Sequence, residues 1–161
     1  MPTKTLALSL SIAAVGGLAW AQAPVAPPAP ERFVPIRQAS LDMSLWTRGQ
    51  MEAAMKAGAP AKSQAYPARA LAKWAHVLPA MFPTGSGPNV AGTQALPPVW
   101  ADRAQFLRRA ADYAAAADRL SELAEADDTE GFKAQLVVVR QACDACHAVN
   151  KGGMQGAPKA P

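Results

Sequence analysis

Cys143-Asp144-Ala145-Cys146-His147 is the stretch from which the rest of this chain can be read. C-x-x-C-H is the spacing of covalent haem c attachment. Residues three and four apart on a helix share a face, so both thiols can form thioethers to the two vinyl groups of one porphyrin. The imidazole of His147, one residue on, can then stand under the iron as its proximal ligand. The motif uses both cysteines of the chain, which leaves none for a disulfide or a second metal site. A zinc ribbon would need a further ligand pair, and His76, the other histidine, has no cysteine beside it. A thioredoxin-like dithiol needs a βαβ setting, and nothing here alternates as strands do. The expectation is one covalently attached haem c per chain, held by Cys143 and Cys146, with His147 on the metal.

Upstream of the motif the apolar residues recur at helical spacing. Phe132, Leu136 and Val139 lead into Cys143 on one face of a last helix that starts in the acidic turn Asp127-Asp128-Thr129-Glu130, where carboxylates suit the positive helix end. Gly152-Gly153 ends it. Before it, Phe106, Leu107, Ala110, Tyr113, Ala114, Ala117 and Leu120 repeat at three and four, predicting a helix from Trp100 or Ala101 to about Ala126 with a charged outer face that includes Arg108 and Arg109. A helix from Gln64 to Leu78 carries Leu71, Trp74, Val77 and Leu78 inward, leaves His76 off that stripe, and is closed by Pro79. The first helix opens near Val34–Ile36, tolerating Pro35 in its first turn, and runs to Lys56 before Gly58-Ala59-Pro60. Arg37, Leu41 and Leu45 share one of its faces, while Met43 points away; Met51 and Met55 read as packing residues. Residues 81–99 form a long Gly- and Pro-rich connection of the kind that is often functional. The pattern is all-α: an antiparallel four-helix bundle over residues 36–152 with the haem at the C-terminal helix.

Composition agrees. Alanine is abundant and aromatic residues are 6% of 161, which favours helices over sheets. The N-terminal residues 1–21 read as a signal peptide: Lys4, the apolar run Leu6–Leu18, then Ala19-Trp20-Ala21 as a cleavage site before Gln22. The apolar run is too short to span a bilayer comfortably, so no stable membrane anchor is expected. Residues 22–35, with prolines at 24, 27, 28, 30 and 35, read as an extended leader, and 153–161 as a flexible tail. The formal charge of +4 falls to +3 without Lys4, and to +1 with two ionised propionates. Scattered bases mixed with acids predict no nucleic-acid partner.

With these residues in place the chain resembles the cytochrome c′ family, in which the haem motif sits near the end of a fourth helix. The resemblance spans residues 34–151. Arg37-Gln38-Ala39-Ser40-Leu41 is similar to the family's R-Q-S-A-x opening, Leu78-Pro79 with Phe82 to the end of its second helix, and Pro98-Val99-Trp100-Ala101-Asp102 to its P-x-I-W-S-D start of the third. The resemblance implies that Arg37 and Gln38 bind a haem propionate, for which a guanidinium fork is well shaped. It also places Leu41 at the distal position over the iron, where low-spin relatives carry methionine. Leucine cannot ligate, so a five-coordinate, high-spin iron with an apolar distal pocket is implied. Gln94 falls loosely near a propionate-side position. Lys151 departs from the family's usual arginine four residues after the haem histidine; it keeps the charge and loses the planar group.

The function implied is a periplasmic c-type cytochrome that binds small gases such as nitric oxide and carbon monoxide, or transfers electrons. Dioxygen gains from hydrogen-bond donors that a leucine does not offer. The alternative is a dedicated electron carrier serving periplasmic redox partners. Peroxidase chemistry calls for a distal acid–base group, which Leu41 is not, so no enzyme activity is expected. The family also makes a homodimer through the first two helices an expectation, with Leu45 and Trp46 as contributors.

Overall fold

The structure is a computed structural model, and it describes residues 28–152; the expected signal peptide, residues 22–27 of the leader and the tail 153–161 lie outside that span. Four helices make the bundle: α1 (Phe33–Lys56), α2 (Ala65–Val77), α3 (Arg103–Glu125) and α4 (Thr129–Asn150). Short 3-10 turns precede α1 and α2 and follow α2, and a single helical turn, Pro98–Ala101, precedes α3. Among the described residues no helix is long and apolar enough to cross a membrane.

The helix ends follow from local chemistry. After α1, Gly58 takes φ 78° and returns its N–H to Met55, while Ala59 bonds Ala54, so the last carbonyls are satisfied by a left-handed turn that glycine enters without strain. Asp127 makes the same turn after α3 at φ 56°, and its carboxylate accepts from the Lys62 N–H at 2.7 Å. Asp128 then caps α4 by accepting from the Gly131 N–H at 2.9 Å. A side chain at 131 has no room: a Cβ would stand 2.4 Å from Asp128 Oδ2 and 2.9 Å from Leu123 Cδ2. Gly131→Ala is therefore expected to lose about 1–3 kcal/mol of stability, because overpacking and a displaced cap outweigh a propensity gain of at most about 1 kcal/mol. Urea unfolding, with a lower midpoint at unchanged slope, checks this.

The core lies mainly between α2, α3 and α4. Phe106, Phe132, Leu120 and Val139 are fully enclosed, each worth on the order of 1.5–3 kcal/mol by burial. Alanines supply much of the rest: Ala68, Ala72 and Ala75 of α2 and Ala110, Ala114 and Ala117 of α3 are buried, and their small side chains let the two backbones approach closely. Two residues depart from the apolar pattern. Val77 and Leu107, which the periodicity places inside, are 48% and 43% exposed, at the edge of faces whose buried arc is filled by Leu71, Ala75, Phe106 and Ala110. The start of α3 also differs from expectation. Asp102 breaks the helix after Pro98–Ala101 at φ −118°, ψ 66°, and caps α3 by accepting from the Gln105 N–H at 3.0 Å. The first helix begins at Phe33, so the last residues of the expected leader are helical, and Val34 is buried.

α1 packs less closely than the other three helices. Its C-terminal half puts Met51 and Met55 into the core. Its N-terminal half, α3 and the end of α4 line a cleft onto which the haem motif opens.

Candidate haem-binding site

The inner stripe of α4 passes from Phe132, Leu136 and Val139 in the core to Cys143, Cys146 and His147, which are half-buried and face a cleft of about 360 Å³. Leu41, Ser44 and Leu45 line it from α1; Phe106, Ala110 and Tyr113 from α3; and Phe82, Gln94 and Ala95 from the long connection. Cations stand around these walls: Arg37, Arg48, Arg109, Arg140 and Lys151, against the carboxylates Asp42 and Asp144. A largely apolar slot edged by positive charge suits a flat hydrophobic ring bearing two carboxylates. Two buried polar atoms on its lining have no partner, Arg109 Nε and Asn150 Oδ1, and buried polar groups are rarely left so. The residues present therefore fit a haem.

The thiols are free, and burial raises both: Cys143 to about 11, and Cys146 upward against a weaker opposing hydrogen bond from Asn150. A reactive dithiol needs a lowered thiol pKa, the opposite of both shifts, and the βαβ setting of a thioredoxin-like dithiol is not found among the described residues. Burial, and then Lys151, lower the His147 pKa, with Asp144 opposing; the neutral imidazole is the form that binds metal. A zinc reading also fails, because no group of three or more potential ligand side chains occurs among the described residues. His76 stands away from the cleft on α2, paired with Asp118 at 2.9 Å.

Arg37 is the most enclosed charge of the site, 3% exposed. Nη1 donates to the Ser86 carbonyl and hydroxyl at 3.0 Å each, Nη2 donates to the Ser86 carbonyl and to Thr93 Oγ1, and the guanidinium lies 4.9 Å from the Phe82 ring centre. Gln38 donates to the Gly92 carbonyl at 2.9 Å. Both residues implied for a propionate line the cleft, and both also tie the long connection to α1. Arg37 has no acidic partner among the described residues, so its charge is left for an anion to balance, while burial lowers its pKa. Arg37→Leu is expected to cost about 2–4 kcal/mol, since it strands the buried acceptors of Ser86 and the half-buried hydroxyl of Thr93. Thermal melting together with faster proteolysis within residues 82–97 checks this.

The connection is fastened at its other end too. The Leu96 N–H donates to the Asn150 carbonyl at 2.9 Å and the Gly152 N–H to the Gln94 carbonyl at 2.8 Å, an antiparallel bridge of Ala95 with Lys151 just beyond His147. Met43 is exposed, Met51 and Met55 are in the core, and among the described residues no methionine lines the cleft. Arg109, assigned to the outer face of the third helix by periodicity, instead donates to the Ala145 carbonyl at 2.9 Å and braces the motif. Its offset of three from Phe106 and four from Tyr113 is the signal that places it on the inner edge.

A four-helix bundle with a C-x-x-C-H stripe opening on such a cleft defines a c-type haem protein. A family model described as Cytochrome C' matches residues 32–151. A cytochrome c' of Alcaligenes xylosoxydans xylosoxydans is 30% identical over 118 residues, covering 73% of this chain and 91% of that protein. Among solved structures, the nitric oxide complex of a leucine-to-alanine mutant of cytochrome c prime from Alcaligenes xylosoxidans superposes with TM-score 0.71 at 25% identity, over 80% of this chain and 99% of the other. A ferrous arginine-to-lysine variant of the same protein with bound NO gives 0.71 at 27% identity, over 80% and 99%, and cytochrome c' from Rubrivivax gelatinosus gives 0.69 at 28%, over 76% and 97%. The chain belongs to the cytochrome c′ family. Members carry a covalently attached haem c, and Cys143 and Cys146 are the cysteines of that motif here.

Proposed function

We propose that this is a periplasmic monohaem cytochrome that binds nitric oxide and carbon monoxide on the α1 side of a five-coordinate, high-spin iron. Cys143 and Cys146 would hold the porphyrin, His147 would ligate the iron, Arg37 and Gln38 would stand by a propionate, and Leu41 would cover the opposite face. The observation that carries this reading is the make-up of the α1 wall: leucine at 41, and no methionine on the cleft among the described residues. What the bound haem supplies is an iron that changes oxidation state and accepts a diatomic gas. Leu41 excludes bulk water and crowds the approach; it offers no donor to favour dioxygen and no acid or base, so we assign no enzyme activity. The relatives solved with nitric oxide support the same ligand class.

Electron exchange with periplasmic partners is a second role of the same site, supported by the cleft's mouth, where exposed Asp144 and half-buried Gln38 line the opening. Exposed Met43, Leu45 and Trp46 on α1 and Tyr66 on α2 support pairing with a second copy. Anaerobic titration of the ferrous protein with nitric oxide tests the proposal: a stoichiometric change in the visible spectrum is expected. An unchanged spectrum would leave electron transfer as the function.

A further inference from the structure

Asn150 ends α4, is 5% exposed, and lines the cleft three residues after His147 and four after Cys146. Its Nδ2 donates to Cys146 Sγ at 3.6 Å, while its Oδ1 is buried without a donor. Side chains on a helix lean toward its N-terminus, so the Asn150 amide reaches back over the turn that holds both residues. With Nδ2 on the sulfur, the oxygen is left for the neighbouring side chain on that turn. A histidine bound to metal through one ring nitrogen nearly always gives the other N–H to an acceptor, which fixes the ring and raises its basicity.

We infer that Asn150 is a positioning residue for the haem iron, its Oδ1 accepting the hydrogen bond from the ring N–H of His147 that faces away from the metal. This rests on His147 being the axial ligand. Attachment of the haem reinforces the arrangement. A thioether sulfur has lone pairs and no proton, so it accepts from Nδ2, whereas a flipped amide would set oxygen against sulfur with no hydrogen between them. Asp144, the other acceptor within a turn of His147, is exposed, so water competes for it. The Asn150 oxygen has no such competitor. Its backbone carbonyl is held by the Leu96 N–H at 2.9 Å, so the long connection steadies the residue that steadies the ligand.

The test uses the haem-loaded protein, with the iron–histidine stretch of the ferrous form read by resonance Raman and the reduction potential by spectroelectrochemistry. Asn150→Leu, which keeps the volume and removes the acceptor, is expected to lower the stretching frequency and raise the potential. Asn150→Asp, a stronger acceptor, is expected to move both the other way, and Asp144→Asn to leave the frequency in place. A frequency unmoved by either Asn150 substitution, or lowered by Asp144→Asn instead, overturns the inference. Absence of any iron–histidine stretch in the unaltered protein would instead overturn the reading on which the inference rests, a five-coordinate ferrous iron held by His147, so the two failures are distinguishable.

Discussion

Leu41→Met is expected to convert the iron from five-coordinate and high-spin to six-coordinate and low-spin. Leu41 lines the cleft one helical turn beyond Arg37, and a methionine in its place is unbranched, of similar volume, and carries a thioether able to ligate. The absorption spectrum of the ferrous form should sharpen into the bands of a low-spin haem, and nitric oxide should then have to displace the sulfur, binding at least tenfold more slowly. Leu41→Ala is expected to act in the opposite sense. Lifting about 1.4 kcal/mol of steric opposition already gives a tenfold faster association, so stopped-flow mixing with carbon monoxide should show a gain of about that size or more. Unchanged spectra and kinetics in both variants would remove Leu41 from the distal position.

Loss of both anchors is expected to have the largest structural effect. In the Cys143→Ala, Cys146→Ala double variant no thioether can form, and haem should be absent from the chain on a denaturing gel stained for haem peroxidase activity. The consequence for folding follows from the cleft. A space of about 360 Å³ between α1, α3 and α4 would remain without its ring. Unfilled apolar space lowers stability in proportion to its volume, by several kcal/mol here, against a total of about 5–15 kcal/mol for a domain. α1, already the most loosely packed helix, should detach first. Circular dichroism is expected to show a lower and broader thermal transition, and hydrogen exchange to show protection lost in 33–48 before 106–124. A double variant as stable as the haem-loaded chain would mean that the bundle closes without its cofactor.

Much of this architecture is legible in the residues, and the exceptions have physical causes. Phe106, Ala110, Tyr113, Ala117 and Leu120 announce α3, since a buried face must repeat at helical spacing, and all five are buried. Val77 and Leu107 fit the same periodicity yet face out, because a pattern of apolar residues does not report how wide an arc of the helix its neighbours cover. The haem motif marks one wall of the site unaided. The opposite wall needed the family likeness to pick out Arg37, Gln38 and Leu41, which on spacing alone form an ordinary inner face below a rim arginine. Arg109 and Asn150 were harder still: a polar residue at a helix edge is read as solvated unless its partner is known, and their partners, the Ala145 carbonyl and the Cys146 sulfur, come into reach only in the fold. The fastening of Gln94 and Leu96 to Asn150 and Gly152 uses backbone atoms, which every sequence has in common.

On the proposed reading, α4 builds the proximal side of the haem and α1 leaves its distal side open. The most direct measurement is the electron paramagnetic resonance spectrum of the ferric protein as isolated, paired with the absorption spectrum after anaerobic reduction. The account predicts high-spin iron in both states and five-coordination in the ferrous form before any gas is added. A low-spin, six-coordinate spectrum at that stage would show that a side chain of this chain occupies the distal position, and would contradict it.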